Sequence, residues 1–290
     1  MVIEPVFLEG FAHGARFALW VHPEAGSPSK GSILCIQPFG DEATLARRVL
    51  VAQACRLAGL GWTTLIVDPF GTGDSAGETG EATLDHWRAD LLHAARIARE
   101  RAPGAFVLWG TRMGALLACD LLPALDQLVS ATMFWQPAPT GAGLLEPLLK
   151  LAKVGAVARS GEAEGSVEAG GAAASDAPVA EEPAASVNLG GYLLRHDLVD
   201  GLSALAMRPA PVAPRAAPRP VLMLGVQRVL RANAVAPLWL AGLAQEWLDA
   251  GYLGNLRTVQ GEPFWASLEP STPAAAFEAT EAFLRGVVEQ

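Results

Sequence analysis

The chain has 290 residues, 51% of them hydrophobic and 18% charged, with a formal net charge of −9. At this length roughly three quarters of the unfolded surface can be buried, which fits one large domain or two small ones and excludes a disordered chain. A balance of 21 basic against 30 acidic residues excludes the basic footprint of a nucleic-acid or anionic-membrane binder. In chain order, residues 2–9 and 15–22 read as strands around a turn at Ala12-His13-Gly14, and SILCIQ (32–37) as a strand covered on both faces. Ala46, Leu50, Ala54 and Leu57 form one stripe of a helix over 43–58, with Arg47, Arg48 and Arg56 largely off it. WTTLIVD (62–68) is a buried strand, 83–102 a helix stopped by Pro103-Gly104, and AFVLW (105–109) the next strand. A Gly-flanked turn, a helix over 114–122 and the strand LVSATMFW (128–135) follow. This alternation predicts a parallel sheet wrapped by helices with right-handed crossovers.

The rhythm breaks at 137. Residues 144–154 read as a short amphipathic helix, and 155–187 lack Leu, Ile and aromatic residues, so that segment is expected to be a disordered insertion. It holds six acidic residues against Arg159, so five of the nine net negative charges sit in it. Apolar spacing returns over 188–207, and 208–220 is a stiff, Pro-rich return. A strand at 221–226, a helix at 237–250, a strand at 255–260 and a helix at 272–288 complete the pattern. The expected organisation is a core in two parts, 1–136 and 220–290, with a lid over 137–219.

Cys35, Cys55 and Cys119 form no C-x-x-C pair and lie among apolar residues, as reduced, buried thiols do. The opening MVIEPVFLEG lacks a basic stretch followed by an apolar one, and no apolar run reaches 18 residues. The expectation is a cytoplasmic protein without a transmembrane segment. No cofactor and no metal is expected: His86 and His93, seven apart on one helix, lack a third ligand. His13 and His22 read as turn and loop residues.

Three loops stand at the C-terminal ends of successive strands, where open parallel sheets place their ligands. They are Gln37 to Glu42, DPFGTGDSAG (68–77) and Gly110-Thr111-Arg112-Met113-Gly114. The third has the skeleton of a nucleophile elbow, Gly-x-Ser-x-Gly, between a strand and a helix, but its middle residue is Arg112, which stays protonated. With DPFGTGDSAG, the chain resembles an α/β-hydrolase. More closely, it resembles the second type of hydrolase-like protein of exosortase A gene clusters, through Pro38-Phe39-Gly40-Asp41-Glu42 with Arg47-Arg48, Asp68 to Gly77, Leu108 to Ala115, and Gly261-Glu262-Pro263-Phe264-Trp265. The resemblance implies an α/β-hydrolase fold with a mostly parallel sheet of about eight strands, a place in bacterial exopolysaccharide and PEP-CTERM sorting loci, and an arginine at the elbow as part of the pattern.

The acid and histidine of a triad have no counterpart in the usual places. Gln136-Pro137 follows the strand at 128–135, Gln227-Arg228-Val229 the strand at 221–226, and GEPFWAS (261–267) the strand at 255–260; no histidine lies beyond His196. Thr111 points the wrong way in standard elbow geometry, Ser75 suits local turn bonds, Cys119 faces the core, and His196-Asp197 could approach from the lid. Arg112, Glu42 and His196 are therefore the catalytic candidates, none of them a conventional nucleophile. As a binding group, Arg112 at a helix N-terminus suits a carboxylate or phosphate. An internal ion pair with Asp41, Glu42 or Asp68 is the simpler reading, and the two coexist if Glu42 orients Arg112. Phe39, Phe70, Phe264 and Trp265 are expected to supply an apolar wall around that charge, forming a pocket for a small anionic or acyl ligand. Filling the space a histidine would take is an equal reading of Trp265.

Overall fold

Strands that are apolar on both faces are stable only between two layers of helices. The computed structural model, which describes residues 1–164, 186–209, 218–229 and 236–288, arranges them in that way. The core begins with β1 (Val2–Leu8), β2 (Arg16–His22), β3 (Gly31–Ile36), α1 (Asp41–Gly59), β4 (Trp62–Val67) and α2 (Leu84–Arg101). It continues with β5 (Ala105–Thr111), α3 (Met113–Leu125) and β6 (Ala131–Trp135). The lid holds α4 (Gly141–Glu164), β7 (Ser186–Leu189), β8 (Tyr192–Arg195) and α5 (His196–Ala204). The chain then returns through β9 (Pro220–Gln227), α6 (Leu238–Asp249), β10 (Leu253–Gln260) and α7 (Ala274–Val288).

Eight strands form one sheet in the order β1-β2-β4-β3-β5-β6-β9-β10. β1 and β2 pair antiparallel and β2 meets β4 antiparallel, while every other neighbour is parallel. The period-2 alternation of a strand sorts its side chains into two cores. Leu34, Ile36, Phe106 and Leu108 pack with α2, α3, α5 and α6 on one face. Ile33, Cys35, Val107 and Trp109 pack with α1 and α7 on the other. Trp135 joins that second layer to α7 by donating its indole N–H to Thr280 Oγ1 at 3.0 Å.

One buried ion pair ties the first hairpin to α2. Arg16 donates from Nε to Asp90 Oδ2 at 2.7 Å and from an amino group to Oδ1 at 3.1 Å. Its other donors reach the Gly14 and Ala12 carbonyls, each at 2.7 Å. Asp90 also accepts from the Phe70 amide at 2.8 Å. Arg16 is 1% and Asp90 3% exposed, so the charges are almost wholly removed from water and nearly every donor is matched.

The lid departs from the sequence expectation in two ways. The helix expected to end at 154 continues to Glu164, and an antiparallel hairpin, β7–β8, precedes α5. The hairpin turn follows from Asn-Leu-Gly-Gly: Gly190 and Gly191 take φ of 63° and 94°, and Asn188 Oδ1 accepts from the Gly191 amide at 2.9 Å. Of the segment expected to be disordered, 165–185 lies outside the described residues, as does 210–217 of the Pro-rich return.

Asp90→Ala leaves Arg16 charged and uncompensated in the interior, so its unfolding free energy in urea should fall by about 3–5 kcal/mol, and that of Asp90→Asn by less. The cysteines give a second test. Burial raises the thiol pKa of Cys35, lifts Cys119 to about 12, and raises that of half-buried Cys55 as well. The thiolate is the reactive form, so at pH 8 iodoacetamide should modify Cys55 alone in the native protein and all three after denaturation. Mass spectrometry of the labelled peptides reads the result.

Candidate functional site

The candidate site grows from the turn between β5 and α3. A Cβ on Gly110 would lie 2.4 Å from the Gly114 carbonyl oxygen, and one on Gly114 would lie 2.1 Å from that of Ile36. Only glycine permits strand and helix to approach so closely. The turn between them throws Arg112 into the left-handed region, with φ 57° and ψ −119°. Arg112 is held there by its amide, which donates to the Trp135 carbonyl at 3.1 Å. Its side chain therefore projects over the C-terminal edge of the sheet, as the middle residue of an elbow does.

Of the three acids that could neutralise it, Glu42 does so. Arg112 Nε donates to Glu42 Oε1 and Oε2 at 3.2 and 3.1 Å, and an amino group donates to Oε1 at 2.7 Å. Glu42 stands in the first turn of α1, where the helix dipole also favours its charge. The opposite side of the guanidinium lies over Trp265, 5.4 Å from the ring centroid. Charge pairing and an aromatic face fix the group in one orientation. With 19% of its side chain exposed, Arg112 still looks outward.

Above it is a chamber of about 280 Å³. Its wall is Phe39, Met113, Leu145 and Leu148, with Leu189 and Tyr192 from the lid hairpin. The chamber is largely apolar, with the Arg112–Glu42 pair at its base and Asp41 also in its lining, which suits a molecule with an apolar tail and a polar end.

The other predicted residues scatter. Asp68 is not at Arg112: its Oδ1 accepts from Gln37 Nε2 at 2.9 Å and from Arg47, in a larger cavity beside the elbow. Asp41 instead accepts from the Tyr192 hydroxyl at 3.2 Å. Phe39 lines the chamber as expected; Trp265 does not, because it is buried against the Arg112 guanidinium. Phe70 does not reach it; that ring is buried under the Arg16 guanidinium, 5.0 Å away, and against His86. Phe264 does not reach it either, because it packs edge-on to Trp135 in the core. His196 is exposed at the start of α5 and lines neither space, so the lid does not carry it over the elbow. Ser75 donates to the Asp68 carbonyl within its own loop, as expected, and also accepts from the Phe17 amide of β2 at 2.9 Å. Thr111 Oγ1 is buried without a partner among the described residues.

Gln136 and Arg228 occupy the ends of β6 and β9. Gln136 Oε1 accepts from the Val226 amide at 2.8 Å, and Arg228 pairs with Glu262 at 2.9 Å. Among the residues with a role here, Gln37 had only its place in the loop after β3 as a signal, and Tyr192 and the lid leucines none beyond apolarity. Arg47 had a weak one, since a carboxylate closing a fully buried strand needs a cation nearby.

No protein-family model matches the sequence, and no curated protein is significantly similar to it. Solved structures are. Est1E from Butyrivibrio proteoclasticus, determined with bound ferulic acid, superposes with a TM-score of 0.60 at 14% identity, covering 95% of this chain and 96% of that one. A highly thermostable carboxyl esterase from Bacillus coagulans, in complex with glycerol, gives 0.61 at 12% identity, with 99% of each chain covered. A lidless α/β serine hydrolase from Xanthomonas campestris gives 0.54 at 14% identity, covering 98% of this chain and 94% of that one. At these identities the likeness concerns architecture alone: the chain has the α/β-hydrolase fold.

Proposed function

We propose that this is a hydrolase-like protein of the exosortase A-associated type, cytoplasmic and serving bacterial exopolysaccharide production and PEP-CTERM sorting. Its ligand is an acyl, ester or glycan-linked molecule, taken into the chamber above Arg112. It binds that ligand without a Ser–His–Asp triad. The observation that carries the reading is the Arg112–Glu42 pair seated on Trp265 at the elbow, where a hydrolase of this fold carries its nucleophile. A guanidinium cannot attack a carbonyl, and Glu42 is held through both oxygens as the ion-pair partner of Arg112. The triad's other two places support the same reading. Gln136 and Arg228 stand where the acid would, each with a structural partner, and Phe264 and Trp265 fill the loop after β10 where the histidine would stand. No described helix is long and apolar enough to cross a membrane.

A catalytic reading has one observation in its favour: an apolar chamber with a fixed charge at its base is also how an esterase holds an acyl group. Turnover separates the two. Short-chain p-nitrophenyl esters should be hydrolysed no faster with the protein than in buffer, for wild type and Arg112→Ala alike. Turnover by the wild type that Arg112→Ala abolishes would instead establish an enzyme.

Binding gives the positive test. A dansyl-labelled fatty acid should bind the wild type saturably, and Arg112→Ala should weaken it about tenfold, the loss of one charge-assisted contact. Glu42→Gln removes the competing carboxylate and keeps an acceptor for Arg112 Nε, so the same probe should bind more tightly. An unchanged affinity in Glu42→Gln would sink the role given to that pair.

A further inference from the structure

We propose that the larger cavity beside the elbow, over the ends of β3 and β4, binds a neutral polyhydroxylated molecule of the carbohydrate type. The ligand would lie between the Gln37–Asp68–Arg47 cluster and an aromatic wall of Phe39, Trp87 and Tyr192. The inference deepens the function proposed above and rests on its premise that this scaffold holds a ligand at its loop face. It concerns a different polar cluster: neither Arg112 nor Glu42 lines this cavity, and Phe39, Gly40 and Tyr192 are shared with the chamber.

The cavity has a volume of about 780 Å³, within the range of small-molecule sites. Its floor contains a buried charge with unmet capacity. Asp68 has 4% of its side chain exposed, and only Oδ1 is used, by Gln37 and Arg47. Asp68 Oδ2 and Gln37 Oε1 are both buried and have no partner among the described residues. A buried acceptor left unpaired costs about 1–3 kcal/mol, so this floor calls for donors. The loop after β4 is moulded to the carboxylate: Gly73 has φ 53°, and a Cβ there would lie 2.0 Å from Oδ2.

Charge narrows the ligand class. Arg47 is the cation of the cavity, with 30% of its side chain exposed, and a single donor bond is made, to Asp68. Asp68, Asp74 and Glu78 also line it, so carboxylates outnumber guanidinium. An anion such as phosphate meets that excess, and an amine cation meets Arg47. A neutral vicinal diol satisfies both sides, since each hydroxyl donates to an acceptor and accepts from the guanidinium fork. The wall supplies the rest. Phe39 lies 5.7 Å from the buried Trp87 and 5.8 Å from Tyr192, centroid to centroid, with the rings tilted by 42° and 55°, so the part-exposed Phe39 and Tyr192 offer apolar ring surface to the C–H groups of a sugar.

The test uses the full chain and calorimetric titration with maltotriose, cellotriose and laminaritriose, and with inorganic phosphate as the anion probe. At least one trisaccharide should bind saturably at millimolar concentration or below, and phosphate should not. Arg47→Lys keeps a cation beside Asp68 and loses the planar fork; Tyr192→Ala removes part of the wall on an exposed hairpin. Each should weaken the trisaccharide about tenfold, with circular dichroism confirming the fold. The dansyl fatty acid and the trisaccharide should bind together without competing. Absence of binding by all three sugars, phosphate binding in their place, or displacement of one probe by the other would overturn the proposal. If the fatty acid fails to bind and the trisaccharide succeeds, the elbow chamber has been misread and this site stands.

Discussion

The close crossing of β5, its turn and α3 is the constraint on which the loop face depends. Gly110 sits against the backbone of α3 and Gly114 against the end of β3, so three elements meet within backbone contact. Packing that tight leaves one geometry for the two residues preceding the helix: Thr111 is driven inward and Arg112 outward at positive φ. A non-glycine residue in that conformation is strained by about 1–3 kcal/mol, and persists because the surrounding structure over-determines it. In serine hydrolases such an elbow presents a nucleophile. Here it presents a cation, and the neighbourhood is built to receive one, with Glu42 at the start of α1 and the Trp265 face after β10.

The same solution recurs around the sheet. Arginine–carboxylate pairs recur at strand ends and loops, and in two of them, at Arg16 and Arg219, further donors meet carbonyls. Arg16 with Asp90 fastens the first hairpin, and Arg219 with Asp126 fastens the start of β9, bonding also to the Val129 and Asp126 carbonyls. Arg47 with Asp68 closes β4. These pairs hold loops whose own sequences are short of apolar anchors. The planar fork of arginine suits the task, because one side chain satisfies several acceptors in fixed directions. The elbow pair and the Asp68 pair differ from the others in facing cavities, and those two cavities meet at Phe39, Gly40 and Tyr192.

The lid supplies the third wall of both spaces, and its construction explains their contrast. Leu144, Leu145 and Leu148 come from α4, Leu189 from the β7–β8 hairpin, and they cover Arg112 with aliphatic surface. Tyr192, across the hairpin turn from Leu189, instead turns its ring to Phe39 and its hydroxyl to Asp41. A four-residue pair of strands thus divides one apolar chamber from one polar cavity.

Much of this was written in the chain. Alternating buried runs and amphipathic stripes determined a parallel sheet between helices, because a strand apolar on both faces has no other stable setting. Glycines at 110 and 114 marked the elbow, and Arg112 between them marked what the elbow lacks. The partner of Arg112 was confined to three acids by their places at strand ends, without being chosen among them. Only the tertiary structure chose Glu42, sent Asp68 to Arg47 and Gln37, and turned Phe70 and Phe264 into the core. Those choices depend on which residues, up to 70 apart in sequence, come within hydrogen-bonding distance when the helices pack. The periodicity of a segment says which side faces inward, and it carries no information about the distance between two loops.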